Sequence, residues 1–531
     1  MNPQRSLNRK IAYVAGMVLI AMALALLGSP AVRRGSGADK AVSGGLLAEL
    51  RVKHNLSEAQ IGDLDPTSQT LKLATFGLRG AAVNILWHKA ATYKMKKDWS
   101  NFAAAIEQIA KLEPHFIKVW QFQAWELSYN VAAEFDDYHE RYRWLLRGVE
   151  FLQEGMRHNE NEYVLVNDVG HFLGMKMGRA DEVKLYRELF KHDDEFHGDR
   201  PVDQRDNWLV AKLWHRKAVD IVDAVPDPLS RLKRATPVLF YRCGPMCRMS
   251  FAEFREKDGF FGETAREAWN QAQTEWDQFG ARQIPVVKDV WVVLGDKEKY
   301  DDEVKRLTEA LDKLEPGLRA KIQKERYDAL TPDEKRVKDL PMTQIKTRQD
   351  GELKMQLDYR LNVTNDQLAR RITANQKQAL DLARRSDKAE EEAFRIERER
   401  SLVSFSDWRR TAIVEQQKAT LDAREAGYKA DEASRAGDLI PAKAFYEKSF
   451  REWRKVFDDK RWPDLINNEV FCTEIVEGID RYRALLAKSD EKFPEDFPLK
   501  ELLRRTAKAS ATPPQATGKP SGTAPAKSPK P

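Results

Sequence analysis

Cysteine is scarce in this sequence of 531 residues, which contains only Cys243, Cys247 and Cys472. Small domains that depend on disulfides carry many more, so the chain is not a disulfide scaffold. Three residues separate Cys243 from Cys247, whereas common zinc and redox motifs leave a gap of two, and no second pair is present to complete such a site. The Gly-Pro between them predicts a turn that brings the sulfurs together. The pair is interpreted as a small disulfide in an oxidising compartment or as two buried thiols, with a redox or metal site as the third alternative.

A basic surface is missing from most of the chain. The formal net charge of +6 arises at the ends, because residues 1–40 hold six Lys or Arg and one acid, and residues 504–531 hold six and none. The remaining residues, 41–503, hold 77 basic and 82 acidic side chains. Since phosphate contacts from Lys and Arg supply much of the affinity for nucleic acids, we expect no nucleic-acid partner.

Recognisable catalytic motifs are absent as well. The sequence has no phosphate-binding loop, nucleophile elbow, HExxH pair or dinucleotide fingerprint, so no catalytic or cofactor-binding residue is assigned and no cofactor is expected. The segment "HDDEFHGD", residues 192–199, contains metal-ligand residue types, and His192 and His197 are its metal candidates. Five positions apart, these two histidines are poorly aligned on one helix face. The alternative interpretation is a polar acidic connection between helices.

Long uncharged apolar runs are also rare, and the one that stands out is N-terminal. Ile11 to Leu27 has no charged residue over 17 positions, close to the roughly 20 needed to cross a bilayer. Basic residues and the amino terminus precede it, which favours a single-pass anchor with a cytoplasmic N-terminus and an extracytoplasmic body. A cleaved signal peptide is the alternative, because Ser29 and Ala31 have cleavage-site spacing, and it would leave a secreted or periplasmic protein. A buried helix is the third interpretation.

Helical periodicity is what the sequence has in abundance. Over residues 71–225 apolar side chains recur at intervals of three and four, and short polar connections such as Asp136-Asp137 separate the periodic segments. Short links force neighbouring helices to run antiparallel, so this region is predicted to be a stack of helical hairpins. In "WSNFAAAIEQIAKLEP" the predicted N-cap is Ser100, and Pro114 ends the helix.

One segment of this region, "PHFIKVWQFQAWELSYNVAAEF", is unusually aromatic. It carries two apolar stripes at helical spacing, and the second consists of Phe122, Trp125 and Tyr129. A helix that is apolar on two sides is expected to be buried on two sides, so the aromatics are interpreted as core. The polar positions left for a partner to contact on this helix are Lys118, Gln121 and Glu126.

The same segments carry a family resemblance. A helix end of the form Leu-Glu-Pro leads into the Trp-rich helix, and "ERYRWLLRGVEFLQEG" and "NDVGHFLGMKMG" follow. Over roughly residues 71–191 the chain resembles exported or membrane-anchored bacterial proteins with divergent tetratricopeptide-like repeats. The resemblance implies a right-handed superhelix of hairpins behind a membrane anchor. It implies no reaction, so no catalytic residue is carried over.

Beyond residue 225 the pattern is less regular. The segment "IPVVKDVWVVLG" is the best strand candidate. Residues 352–363 alternate as a strand would, although their composition favours a helix, and the choice stays open. A capping-box pattern at Thr364 and Gln367 then predicts one long helix running to Val403, with a coiled-coil-like seam and a solvated charged face. A second hairpin is predicted around a turn at Gly437.

The predicted fold class is therefore all-α: stacked antiparallel helical hairpins, a long coiled-coil-like helical segment and at most a minor β element. The predicted boundaries follow the composition changes along the chain. They are 1–34 for the anchor or signal peptide, 35–70 for a linker, 71–225 for the hairpins, 226–350 for an irregular helical region, 351–435 for the long helical segment, 436–506 for the C-terminal hairpin region, and 507–531 for a disordered Pro/Ala/Lys tail.

Three functional hypotheses follow. The first is a membrane-anchored, non-enzymatic scaffold that binds a protein or peptide on its helical-repeat surface. The second is an exported metal-dependent or hydrolytic enzyme with its site in residues 190–300. The third is a structural spacer of the cell envelope, suggested by the long charged helix and the Lys/Pro-rich tail.

Overall fold

The computed structural model describes Gly16, residues 32–34 and 41–43, and the main body at 79–233, 235–345 and 347–503. Apart from Gly16, the predicted membrane segment Ile11 to Leu27 lies outside these residues, as do the tail 507–531 and most of the linker. No helix of the described residues is long and apolar enough to cross a bilayer.

Helices dominate the described residues, which confirms the all-α prediction. The β structure of this part of the chain is two antiparallel pairs, β1 (Val32–Arg34) with β2 (Ala41–Ser43) and β3 (Gln283–Val287) with β4 (Val290–Val293). The second pair is the predicted strand candidate, folded as a hairpin with Lys288 and Asp289 at its turn. Two compact units divide the chain, Met1–Arg231 and Leu232–Pro531.

The described helices of the first unit follow one another with short connections. They are α1 (Arg79–Met95), α2 (Trp99–Leu112), α3 (Ile117–Trp125), α4 (Tyr138–His158), α5 (Tyr163–His171), α6 (Val183–Lys191), α7 (Asp194–His197), α8 (Asn207–Asp223) and α9 (Pro228–Leu232). A π-helical turn continues α3 over Glu126–Val131, and another continues α5 over Phe172–Lys176. Neighbouring helices pack as α1 with α2, α3 with α4, and α5 with α8.

Side-chain caps set the helix starts in the first unit. The carboxylate of Asp98 accepts a hydrogen bond from the Asn101 backbone N–H and begins α2, so the predicted N-cap at Ser100 is wrong by two positions. Asp137 accepts from the backbone N–H groups of His139 and Glu140 and begins α4. The periodic apolar residues of these helices form the core. Its fully buried members include Ile106, Ile109, Trp120, Ala124, Leu127, Leu145, Val149, Leu152, Leu165 and Val169.

The second unit also consists of helices around the β3–β4 hairpin. They are α10 (Pro237–Tyr241), α11 (Cys243–Lys257), α12 (Glu263–Ala281), α13 (Lys297–Leu314), α14 (Leu318–Asp328), α15 (Pro332–Asp339), α16 (Arg348–Leu361), α17 (Asn365–Arg371), α18 (Gln376–Val403), α19 (Phe405–Glu415), α20 (Lys418–Ala436), α21 (Leu439–Phe457) and α22 (Glu469–Lys488). Residues 352–363 lie mostly in α16, so the ambiguous segment is a helix.

The long helix predicted from Thr364 to Val403 is two helices. The capping box at Thr364 and Gln367 is present, but it begins only the short α17. The chain then leaves helical geometry, and Asn375 takes a left-handed conformation before α18 starts. Along α18 most side chains of the predicted seam are buried and Leu382 is partly buried, with α13 as the neighbouring helix.

The face of α18 expected to be solvated is partly buried. Arg400 is 5% exposed, donates from both Nη atoms to the Glu298 carboxylate at 2.7 Å, and donates from Nε to the Leu294 carbonyl. A bidentate pair of this kind compensates the guanidinium for its lost water.

Two glycines of the second unit have different structural roles, one in helix packing and one in a turn. Gly280 lies in the last turn of α12, and a Cβ there would lie 2.6 Å from the Phe405 ring. Its role is therefore close packing. Gly437 has φ of +87° and ends α20, so the predicted hairpin turn between α20 and α21 is confirmed. Ala430, Ala442 and Tyr446 of these two helices are buried.

Candidate functional site

Aromatic rings form a continuous ladder across α1, α3 and α5 of the first unit. Ring centroids are 6.4 Å apart for Trp87 and Phe122, 6.3 Å for Phe122 and Trp125, 5.9 Å for Trp125 and Tyr129, and 5.7 Å for Tyr129 and Phe172. Each separation lies in the range of interacting aromatic pairs. We call these five residues the aromatic ladder.

The middle of the ladder is exposed, which corrects the expectation that α3 is buried on both apolar sides. Phe122 is 49% exposed and Trp125 is 42% exposed, whereas Trp120 on the opposite stripe is 1% exposed. The Trp120 stripe packs against α4. On the other side, α1 and α5 contribute rings only at the two ends of the ladder, and the central rings of Phe122 and Trp125 stay half exposed. Large apolar side chains exposed side by side are typical of a binding surface.

A polar contact runs beside the ladder and fixes the relation of α3 to α5. Gln121 Nε2 donates to Asp168 Oδ2 at 2.6 Å, and further along both helices Tyr129 contacts Phe172. Tyr129 follows Gln121 in the chain, and its partner Phe172 follows Asp168 in the same way. The helices α3 and α5 therefore run side by side in parallel. Gln121 and Trp125 are four residues apart, which places Asp168 next to the exposed centre of the ladder.

The carboxylate of Asp168 has a perturbed charge equilibrium. Burial raises the pKa of Asp168 to about 6, and the hydrogen bond from Gln121 and the charge of Lys118 oppose that rise. Lys118 does not touch the carboxylate; its Nζ donates to Gln121 Oε1 at 2.8 Å. Within the described part of the chain, no Lys or Arg nitrogen lies within 4 Å of Asp168. Among the described residues, this carboxylate therefore has a hydrogen-bond donor in Gln121 but no ion-pair partner.

A cation already covers Tyr129, the fourth ring of the ladder. Lys176 Nζ lies 4.4 Å from the centroid of the Tyr129 ring, a cation–π contact. Burial lowers the pKa of Lys176, and the nearby charge of Glu182 opposes that effect. The ring face of Tyr129 is therefore engaged, and the open positions of the ladder are Phe122 and Trp125.

The three polar positions expected to meet a partner on α3 have different environments. Glu126 is 5% exposed and accepts hydrogen bonds from Lys94 Nζ at 2.5 Å and from Asn130 at 3.0 Å, so it is part of the interior. Gln121 is engaged with Asp168, and Lys118 is exposed. Only Lys118 and Gln121 therefore remain at the surface that carries the ladder.

The two histidines considered as metal ligands are held by other partners. His197 is 8% exposed, and its ring nitrogens contact the Phe190 carbonyl at 2.7 Å and Arg200 Nη1 at 3.2 Å. His192 is exposed and contacts Glu188 on its own helix at 3.0 Å. No group of three or more His, Cys, Asp or Glu side chains in the described residues is placed to hold a metal ion. The predicted polar connection contains the short helix α7, capped by Asp193.

Cys243 and Cys247 lie one turn apart at the start of α11, and both are free thiols in this structure. The predicted Gly-Pro turn between them is wrong: Pro245 occupies the first turn of the helix, where a missing N–H costs nothing. Cβ atoms four residues apart on a helix are about 5–6 Å apart, too far for a disulfide. Formation of the predicted bond would require this first turn to open.

A buried charge cluster in the second unit was not foreseen from the sequence. Arg424 on α20 donates to Glu415 Oε1 at 2.6 Å and also to Glu474, and Glu256 Oε2 lies 3.8 Å from its Nε. Lys257 pairs with Glu474 at 3.2 Å. Because these acids are far apart in sequence, only the folded contacts of α11, α19, α20 and α22 reveal the cluster.

The pKa values of two acids in this cluster are shifted in opposite directions, by burial for Glu256 and by the charge of Arg424 for Glu474. Burial first, and the charge of Glu415 second, raise the pKa of Glu256 to about 8. The charge of Arg424 lowers the pKa of Glu474 to about 2. The guanidinium is sandwiched between these acids and the Trp453 ring, whose centroid is 5.1 Å away. Since its charged groups face partners of the fold rather than an open cleft, this cluster is a structural one.

A groove of about 650 Å³ lies along α4 of the first unit. Tyr142, Trp144 and Arg147 line it together with Asp193, and Tyr142 donates its hydroxyl hydrogen to Asp193 at 2.7 Å. Arg147 pairs with Glu107 and Glu150. These polar groups of the groove satisfy one another, so the aromatic ladder is the stronger candidate for a binding surface.

Comparison with known proteins adds no assignment: no protein-family model matches the chain, and no curated protein does either. The candidate site therefore rests on the geometry of α3 and α5 alone.

Proposed function

We propose that this protein is a non-enzymatic, tetratricopeptide-like scaffold that binds a polypeptide segment of another protein on the aromatic ladder. The proposal includes a membrane anchor at Ile11 to Leu27, with the body outside the cytoplasm. The single observation that supports it best is the pair of half-exposed rings, Phe122 and Trp125, on a helix whose other face is sealed.

Elementary energetics favour this use of the surface. Contact of exposed Phe and Trp side chains with water is unfavourable, and binding a partner that covers them lowers the free energy by removing this apolar surface from water. Trp and Tyr are also the residues most often found to dominate binding energy when they are buried at an interface. A stack of helical hairpins holds such rings rigidly, which reduces the entropy lost on binding.

Site-specific photo-crosslinking tests the proposal, with the full-length chain incubated in a detergent extract of the cells that produce it. A benzophenone amino acid replaces Trp125 in one variant, and Tyr359, which is 84% exposed on α16 of the second unit, in a matched control. We expect a defined protein to be cross-linked from position 125 and not from position 359. The captured protein is then purified and its affinity for the wild-type chain and for Phe122→Ala/Trp125→Ala is measured.

The double substitution is expected to weaken this affinity at least tenfold, since loss of a central aromatic contact typically costs about 2 kcal/mol or more. Circular dichroism of the variant checks that the helices are retained, because both side chains are half-exposed. The proposal is wrong if no protein is captured from position 125, or if the purified partner binds the double variant as tightly as the wild type.

A further inference from the structure

The carboxylate beside the aromatic ladder narrows the chemistry of the partner. We propose that the bound segment presents a lysine or arginine side chain, whose cation pairs with Asp168 while its methylene stem and apolar neighbours cover Trp125 and Phe122. This inference rests on the proposed function, because it names what the same surface recognises.

Among the described residues, the set of partners around Asp168 is incomplete. Its Oδ2 accepts from Gln121 at 2.6 Å, and no Lys or Arg nitrogen of the described residues lies within 4 Å of the carboxylate. A partner that covered the ladder with apolar groups alone would bury this charge further without compensation, which is strongly unfavourable. A cation from the partner removes that penalty with a charge-assisted hydrogen bond.

The aromatic surface of the ladder is itself suited to a cation. Aromatic faces attract ammonium and guanidinium groups, and the stems of Lys and Arg pack on apolar rings. The ladder already shows this behaviour at its other end, where Lys176 Nζ lies 4.4 Å from the Tyr129 ring. The exposed rings near Asp168 offer a second position of the same kind.

A partner side chain of the opposite charge is disfavoured at this position. An acidic side chain at this position would face the Asp168 carboxylate directly, whereas the nearest cation, Lys118, is held on the far side of Gln121 at 2.8 Å from its Oε1. A hydrogen-bonded series runs from Lys118 through Gln121 to Asp168, so the Lys118 charge reaches the carboxylate only through the Gln121 amide. A basic side chain is therefore favoured over an acidic one.

A displayed library of random twelve-residue peptides, selected on the purified full-length chain, provides the test. The wild type is compared with Asp168→Asn, which keeps an oxygen to accept from Gln121, and with Asp203→Asn, which removes an exposed carboxylate of the same unit. We expect Lys or Arg to be enriched beside aromatic or aliphatic residues in peptides selected by the wild type and by Asp203→Asn. Peptides selected by Asp168→Asn should lack this enrichment.

Titration of one selected peptide and its Lys→norleucine analogue then measures the pair directly. Loss of the ammonium should weaken binding to the wild type about tenfold, as for a close charge pair, and should leave binding to Asp168→Asn unchanged. If peptides selected by Asp168→Asn are as enriched in Lys and Arg as those selected by the wild type, the inference is overturned and the proposed function still stands. Peptides that bind Phe122→Ala/Trp125→Ala as well as the wild type, or a selection that yields no binder, overturn both.

Discussion

Glu256 makes the stability of the second unit depend on pH. In the folded chain its pKa lies at about 8, above the ordinary value of 4.5, because burial and the charge of Glu415 disfavour the carboxylate. Between these two pH values the folded state binds more protons than the unfolded state, so stability falls as pH rises through the window. Glu474 has the opposite sign: its pKa of about 2 means that its contribution is present above pH 4.5 and is lost as pH falls toward 2.

We therefore expect Glu256→Gln to stabilise the protein at pH 9 and to have little effect at pH 5. The amide keeps an oxygen for the Trp269 indole N–H, which donates to Glu256 Oε1 at 3.1 Å, and removes a buried charge worth on the order of 2 kcal/mol. Urea unfolding of the full chain at both pH values, followed by tryptophan fluorescence, measures the difference. Glu263→Gln, whose side chain is 80% exposed, serves as the control. Equal stabilisation at pH 5 and pH 9 would show that Glu256 does not titrate in this window.

At the residue scale, periodicity predicted which positions are apolar but not which apolar positions are covered. Trp120 and Trp125 have similar sequence surroundings on one helix, yet one is sealed and the other is half exposed. The difference is made by where α1, α4 and α5 lie, and a single sequence does not contain that information. The prediction that Glu126 is open to a partner is wrong for the same reason, since its burial depends on Lys94 of another helix.

Helix packing provides a prediction at the next scale up, at the crossing of α5 and α8. Gly170 on α5 faces the His215 ring, and a Cβ at that position would lie 2.8 Å from the ring. His215 cannot easily move, because it is 5% exposed and its Nδ1 contacts Asn167 Oδ1 at 2.9 Å. Gly170→Ala should force the two helices apart and destabilise the first unit by about 1–3 kcal/mol, the usual cost of overpacking.

A matched glycine in the same unit separates packing from helix propensity. At Gly80 on α1 an added Cβ would meet no atom within 4 Å, so Gly80→Ala should be neutral or stabilise by up to about 1 kcal/mol. Thermal unfolding of the two variants measures both effects. A Gly170→Ala variant as stable as Gly80→Ala would mean that α5 and α8 are not in close contact.

Whole elements were easier to predict than their interruptions. Both the Thr364 capping box and the Gly437 turn have local causes, a side-chain hydrogen bond and a positive φ, so the local sequence predicts them. The break before α18 has no Pro or Gly to announce it: Asn375 adopts φ of +59° where the heptad pattern continues through it. Tertiary packing of α17 against α18 overrides the pattern at that point.

Across the whole molecule, the sequence predicted the class of fold far better than the chemistry. An all-α chain follows from periodicity repeated over hundreds of residues, and errors at single positions do not change it. The candidate site depends instead on which rings of α3 stay exposed and on a contact between distant segments, Gln121 with Asp168, which are 47 residues apart in sequence and belong to no motif. Binding surfaces on helical repeats are generally of this kind, because the repeats share a scaffold and differ in exposed side chains.

The proposed anchor gives the prediction that concerns the molecule as a whole. The full chain should stay with the membrane fraction after a high-salt wash, because about 17 apolar residues bind lipid by hydrophobic burial rather than by charge. A chain starting at residue 35 should be released, and Leu19→Arg should weaken insertion, since an arginine at the centre of a span costs about 3 kcal/mol. Cell fractionation with N-terminal sequencing distinguishes the alternatives. A mature chain that begins near Ala31 in the soluble extracytoplasmic fraction would favour the signal peptide, and an uncleaved chain in the cytosol would exclude both an anchor and export.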